Sequence, residues 1–177
     1  VRDSGVRLHL AARGDYAGSG ALAFLGARAL DGVEHVDGRR YARTFSAQGA
    51  SGWIEISPAA DGVTLLVSDT LAPKLRPVIA ATRGAFDLDA DMDTIDAHLA
   101  RHEALAADVA AAPGVRVAGG MDAFEIAVRA VLGQQITLVA ARGLTNRLCA
   151  RFGAPLEGAP YGLTRLFPSS ERLAQAS

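Results

Sequence analysis

Along the chain the spacing of apolar residues changes character once. Up to about Ser68, apolar and polar positions alternate in short blocks: Val6, Leu8 and Leu10 around Arg7 and His9, then Tyr41 and Thr44 to Phe45 amid arginines, Trp53 to Ile56, and the run GVTLLVS. A period of two marks strands with one buried face, and the Asp37-Gly38 and Asp61-Gly62 pairs between blocks supply turn residues. The alternation predicts a mostly antiparallel sheet. Two segments break it with helical spacing: SGALAFLGARAL, with Leu22, Leu25 and Ala29 on one face, and LAPKLRPVIAATRGAF, with Leu75, Val78 and Ile79. Both predict helices laid over one face of the sheet, so the first half reads as α+β.

After the polar stretch DLDADMD only the helical period remains. TIDAHLARHEALAADVAAA, MDAFEIAVRAVLG and TLVAARGLTNRLCARFG are rich in Ala and Leu and end in Gly or Pro-Gly. A domain boundary is placed near Asp87 to Asp91, giving an α+β part over 1–87 and an all-α part over 88–177. The last stretch, LFPSSERLAQAS, predicts a helix capped at Ser169 or Ser170 and cut after about two turns. With Val1 rather than Met at the start, the expectation is a piece of a longer protein, whose interrupted helical half exposes an apolar face through which two copies would pair as a dimer.

Composition narrows the classes. Half of the 177 residues are hydrophobic, which excludes a disordered chain. No run approaches the ~18 to 20 apolar residues of a membrane span, and VRDSGVRLHL lacks the apolar block of a secretory signal, so a cytoplasmic location without membrane contact is expected. The formal charge of −1 gives no overall basic field, so any polyanion must be met locally. Lys74 is the only lysine, which restricts Schiff-base chemistry in this chain to that residue. The single cysteine, Cys149, on an apolar helix, reads as a small buried hydrophobe.

Three patterns invite a chemical reading and fail on context. GSGALA, Gly18 to Ala23, matches a dinucleotide fingerprint and opens a helix, but about six loop residues separate it from the preceding strand and hairpin-like segments follow, so it reads as a helix-start turn. His98 and His102 stand four apart, a metal-ligand spacing, yet Glu103 follows the second histidine instead of lying between them and no third ligand is near. With Ile95, Leu99, Ala106 and Val109 as the buried stripe, His102 reads as a half-buried structural histidine. Neither a Gly-x-Ser-x-Gly elbow nor a Walker loop is present, so conventional hydrolase and phosphate-binding motifs are missing.

The segment RAVLGQQITLVAARGLTNRL, 129 to 148, sets two glutamines between apolar helical runs. Asp122 is placed to cap the first helix, Gly133 to end it in a left-handed turn, and Thr137 to cap the next. Gln134 and Gln135 then occupy a tight interhelical turn beside a helix N-terminus whose free N–H groups face outward. Taken alone, this is a solvated turn.

The wider pattern adds a second reading. PGVRVAGGMDAFEIAVRAVLGQQITLVAARGLTNRLCARFG, Pro113 to Gly153, resembles the DNA-3-methyladenine glycosylase II (AlkA) family in its Pro-Gly, Arg, Gly, Asp-x-Phe-Glu, Val-Arg-Ala and Leu-Gly-Gln order. ALAFLGARALDGVEHVDGRRYARTF, Ala21 to Phe45, looks like that family's N-terminal domain, and FDLDAD, Phe86 to Asp91, like its interdomain junction. The resemblance implies an α+β N-terminal domain followed by the first helices of an all-α helix-hairpin-helix glycosylase domain. It also implies base-excision repair without metal or cofactor: an alkylated purine such as 3-methyladenine or 7-methylguanine is flipped out of double-stranded DNA and its N-glycosidic bond hydrolysed. Gln135 matches the position from which the family inserts a wedge side chain into the base stack, with Gln134 beside it; Phe24 matches a pocket aromatic and Leu138 a neighbouring apolar wall, ordinary core packing being the competing account of both.

The chain also departs from the family. The wedge of the best-known member is leucine, so a glutamine here would plug the stack by shape and hydrogen bonding. The usual proline-rich PYRPP is missing from LHLAARGDYAGSG, which keeps only Tyr16. The family's catalytic aspartate, hairpin phosphate anchor and main pocket tryptophans lie beyond the equivalent of Ser177, so no catalytic residue is assigned within the chain, which by itself is expected to be inactive and to bind DNA weakly. The alternatives are a non-catalytic module that binds damaged DNA or a protein partner, and a related glycosylase/lyase acting on an oxidised base.

Overall fold

A computed structural model describes residues 5–176. Five strands, β1 (Gly5–Ala11), β2 (Glu34–Val36), β3 (Tyr41–Ala47), β4 (Ala50–Ala59) and β5 (Gly62–Ser68), form one sheet in the order β1-β5-β4-β3-β2, every neighbour antiparallel. Helix α1 (Gly18–Gly26) falls between the first two strands and α2 (Leu75–Ala85) follows the last. The α+β reading of this half is what the structure has. The blocks of period-two alternation become strands because one face is buried: Ile56 faces Tyr41 across β3 and β4, and Leu65 and Val67 continue the layer onto β5. Leu22 of α1 and Val78 of α2 close that layer from above.

One turn was not legible. β3 and β4 are joined by Gln48 and Gly49, with φ of 49° and 83°, between the paired Ala47 and Ala50. Two consecutive left-handed residues match the twist of the hairpin strands, but Gln in the first place lacks the Asn or Asp that usually announces such a turn.

The second half holds α3 (Met92–Leu99), α4 (Glu103–Ala111), α5 (Ala123–Leu132), α6 (Leu138–Phe152) and α7 (Ser170–Ala174), the last capped by Ser169 as expected. TIDAHLARHEALAADVAAA is not one helix. It breaks over residues 100–102, where His102 takes an extended backbone and its Nδ1 accepts from the Ala104 N–H at 3.3 Å, so this histidine caps α4 from an exposed position. The break also undoes the expected stripe. Ile95 and Leu99 are 39% and 38% exposed, because the two short helices do not share one continuous buried face.

The junction between the halves is held by polar groups. Asp91 caps α3 through the Thr94 N–H and pairs with Arg13 at 2.6 Å, while Asp89 pairs with Arg83. Arg116 donates to four backbone carbonyls, those of Asp87 (2.5 Å), Ala90 (3.2 Å), Arg13 (2.5 Å) and Asp15 (2.9 Å). Gly114, at φ +73°, lies so close to this loop that a Cβ would stand 2.5 Å from the Asp15 carbonyl carbon, which is why a glycine follows Pro113.

After α6 the chain crosses back over the other face of the sheet. Gly32 O accepts from the Thr164 and Arg165 N–H groups at 2.7 and 3.1 Å, and Thr44 Oγ1 donates to the Arg165 carbonyl at 2.9 Å. Tyr161 anchors this return by donating to Glu55 at 2.5 Å and accepting from Arg40 at 2.7 Å. No helix among the described residues is long and apolar enough to cross a membrane.

Candidate nucleic-acid interface

The chain does reverse between α5 and α6. Asp122 Oδ1 accepts from the Glu125 N–H at 2.8 Å at the start of α5, and Thr137 Oγ1 accepts from the Ala140 N–H at 3.2 Å at the start of α6, the two caps the spacing predicts. The bend itself is displaced by two residues. Gly133 keeps right-handed helical angles, φ −86°, and closes α5 by donating to the Arg129 carbonyl at 3.0 Å. The left-handed residue is Gln135, φ +61°. A side chain with a Cβ in that region costs about 1 kcal/mol relative to glycine.

The two glutamines part company here. Gln134 turns its amide back, Nε2 donating to the Ala130 carbonyl at 3.1 Å, and so finishes the helix. Gln135 is exposed and makes no hydrogen bond among the described residues, which leaves it as the projecting side chain of the pair. Its neighbours are apolar and wet: Val131 is 73% exposed and Val139 82%.

The charged side chains of the helix that starts at the turn are all positive, although the chain as a whole is nearly neutral. α6 carries Arg142, Arg147 and Arg151, all exposed, and no acidic residue. Its N-terminus adds the partial positive charge of unpaired N–H groups at the turn.

What holds α5 in position is a buried ion network that the sequence reading missed. Arg43 of β3 reaches Glu125 of α5 at 2.5 Å, and Arg129, one turn on, reaches Glu125 at 2.6 Å and Glu34 of β2 at 2.5 Å. Tyr41 donates to Glu34 at 2.6 Å, and the Leu30 N–H donates to the same carboxylate at 3.0 Å. Burial alone would raise the Glu125 carboxyl, but Arg43 and Arg129 outweigh it and hold it below its ordinary value. Burial likewise works against the charge on Arg43, while Glu125, Tyr41 and Glu34 keep it firmly protonated. The signal lay in YARTF, where an arginine takes the inward position between Tyr41 and Phe45, and in the four-residue spacing of Glu125 and Arg129. Cys149, wholly buried under this network, has its thiol pushed up to about 12 by burial and reads as the expected small hydrophobe.

Phe24 and Leu138 line two different cavities. Phe24, 42% exposed, borders a space of about 130 Å³ between α1 and α5, walled also by Tyr41, Gly120 and Met121. Leu138, 44% exposed, borders one of about 400 Å³ with Gly133, Ile136 and Arg142. Neither side chain is core packing. Arg28 and Arg129 are the two residues that line both cavities, so these arginines form the partition between them. A third hollow, about 550 Å³, lies on the other side of Arg43, between β3 and the segment after α6.

The fold, a five-stranded antiparallel sheet roofed by helices and followed by a run of further helices, is shared with solved DNA glycosylases. The 3-methyladenine DNA-glycosylase from Archaeoglobus fulgidus superposes with a TM-score of 0.80 at 19% identity over 97% of this chain and 58% of that one. An 8-oxoguanine glycosylase/lyase from Clostridium acetobutylicum, solved with double-stranded DNA, superposes with a TM-score of 0.59 at 18% identity, covering 92% of this chain and 50% of that one. Residues 7–122 match the AlkA N-terminal domain, and the chain belongs to that family. Among named relatives, the probable bifunctional transcriptional activator/DNA repair enzyme AlkA of Mycobacterium tuberculosis (strain CDC 1551 / Oshkosh) is 39% identical over 171 residues, 96% of this chain and 34% of that protein. DNA-3-methyladenine glycosylase 2 of Escherichia coli (strain K12) is 34% identical over 163 residues, 91% of this chain and 55% of that protein. The chain thus spans between about a third and just over half of these relatives' length.

Proposed function

We propose that this chain serves in the excision of alkylated purines from double-stranded DNA, supplying the side chain that enters the base stack and one wall of the pocket that receives the extruded base. The observation that carries the reading is the turn: two capped helices hold Gln135 in a left-handed bend, exposed, without a hydrogen-bond partner among the described residues, at the positive end of a helix whose only charges are arginines. Relatives named for DNA repair and for 3-methyladenine excision support the substrate class.

The chemistry follows from the base. A purine methylated on a ring nitrogen carries positive charge, stacks on an electron-rich aromatic face and is already a good leaving group. Extruding it leaves a gap in the stack that costs a few kcal/mol, and a side chain mounted on a rigid turn offsets that cost. Gln135 fills the gap and offers its amide to the orphaned base opposite; Leu138 faces the space beside the turn, and Phe24 the smaller one behind Arg28 and Arg129. Hydrolysis itself needs a carboxylate beside the cationic sugar. We assign none in this chain: Glu34 and Glu125 are consumed by Arg43 and Arg129, and Asp89 and Asp91 by Arg83 and Arg13. That group belongs to the part of the relatives' length that the chain does not span.

Replacing Gln135 by Ala in the full-length protein tests the proposal. Fluorescence of 2-aminopurine at the target site of a duplex reports flipping, and the variant should flip it less; unchanged flipping sinks the wedge assignment.

A further inference from the structure

We infer that Arg28 is a movable partition that occupies the face of Phe24 in the free protein and sets how well the pocket accepts a cationic base relative to a neutral one. This rests on the base-pocket reading above and adds a specificity-determining residue to it.

The geometry is local. Phe24 and Arg28 stand four apart, at the end of α1 and just beyond it, and the guanidinium carbon of Arg28 lies 3.6 Å from the centroid of the Phe24 ring. That is full stacking contact: the aromatic face that would attract a positively charged base is already covered by a positive charge. Arg28 is also one of the two residues separating the cavity of about 130 Å³ from that of about 400 Å³. The smaller space alone falls below the ~300 Å³ at which sites for small molecules begin, whereas the two joined fall within that range.

The two partition residues differ in how firmly they are held. Arg129 is clamped by Glu34 at 2.5 Å, by Glu125 at 2.6 Å and by the Arg28 carbonyl at 3.2 Å. Arg28 has one hydrogen bond, to the carbonyl of Phe24 at 3.0 Å, and no ion pair among the described residues. A long side chain held by one exposed hydrogen bond and one ring contact is the part that gives way. When it swings off Phe24 the face is bared, and only Arg129 still stands between the two cavities. A cationic base entering there must displace a like charge that then remains nearby, while a neutral base meets no such repulsion. Arg28 therefore handicaps cationic bases and keeps the empty pocket covered.

The experiment compares single-turnover excision of 7-methylguanine, cationic, and hypoxanthine, neutral, from the same duplex by the full-length protein, its Arg28→Met variant and its Phe24→Leu variant. Methionine keeps an apolar stem and removes the charge. Arg28→Met should raise the ratio of cationic to neutral excision by about threefold to fivefold, and Phe24→Leu should slow cationic excision most. A ratio unchanged or lowered in Arg28→Met, including equal loss on both lesions as for a phosphate contact, overturns the partition even when Phe24→Leu has its effect. If Phe24→Leu changes neither rate, the pocket assignment itself falls, which separates the two failures.

Discussion

At Gln135 stability and the proposed use pull in opposite directions. A left-handed φ of +61° on a residue with a Cβ is retained although Gly133 stands two positions earlier and adopts ordinary helical angles. The bend falls at 135 because Gln134 is still bonded into the end of α5, through its N–H to Val131 and its amide to Ala130, so the first residue free to reverse is the next one. Gln135→Gly should therefore stabilise the fold by about 0.5 to 1 kcal/mol, while Gln135→Ala, which keeps the Cβ, leaves stability nearly unchanged. Urea midpoints of the two variants decide this; a lower midpoint for the glycine variant would mean the backbone there is not left-handed. Both variants lose the probing amide, so stability and flipping should separate in Gln135→Gly.

For helix α5 the decisive feature is its dependence on the sheet through charge. Glu125 is held below its ordinary value of 4.5, burial being outweighed by Arg43 and Arg129. A carboxylate whose folded value is depressed contributes stability that is complete above the unfolded value, near 4.5, and is lost as pH falls through the folded one. The protein should thus lose unfolding free energy on acidification below about pH 4.5, and Glu125→Gln should lower stability at pH 7 by about 3 kcal/mol while flattening that acid limb. Denaturation at pH 7 and at pH 3.5 measures both, and an equally steep acid limb in the variant would remove Glu125 from the account. The sequence made α5 itself legible, from its cap, its period and its terminal glycine, because those signals are local. The network was not legible, since it joins residues 34, 43, 125 and 129 across two strands and a helix. The break between α3 and α4 escaped for a related reason: histidine is not among the residues that announce a cap, and only in the fold does His102 act as one. Phe24, Leu138 and the paired glutamines are singled out by resemblance alone, and nothing in their local pattern separates a pocket wall or a wedge from core or turn.

A near-neutral protein can still make the proposed contact with DNA, and the reason lies in where its charges are spent. Acidic side chains are drawn into pairs at the junction and beneath α5, such as Asp91 with Arg13, Asp89 with Arg83 and Glu125 with Arg43, whereas the arginines of α6 have no acidic residue on their own helix. The formal charge of −1 is thus an average over a surface on which α6, leading away from the turn, carries arginines as its only charged side chains. Arg142 is the nearest of these, lining the same cavity as Gly133 and Leu138 and exposed to solvent. In the proposed binding mode a guanidinium there would meet the phosphate backbone on either side of the inserted side chain, a contact that carries no sequence information and releases a counterion. Arg142→Ala should weaken binding of the full-length protein to duplex DNA by a similar factor whatever the sequence or lesion, and should reduce the slope of log affinity against log salt by about 1. Titrations of damaged and undamaged duplexes at several salt concentrations measure both quantities. A loss confined to damaged duplexes would move Arg142 from the backbone to the flipped base. An unchanged slope would mean that α6 does not face the phosphates, and the turn would then have to approach DNA from another side.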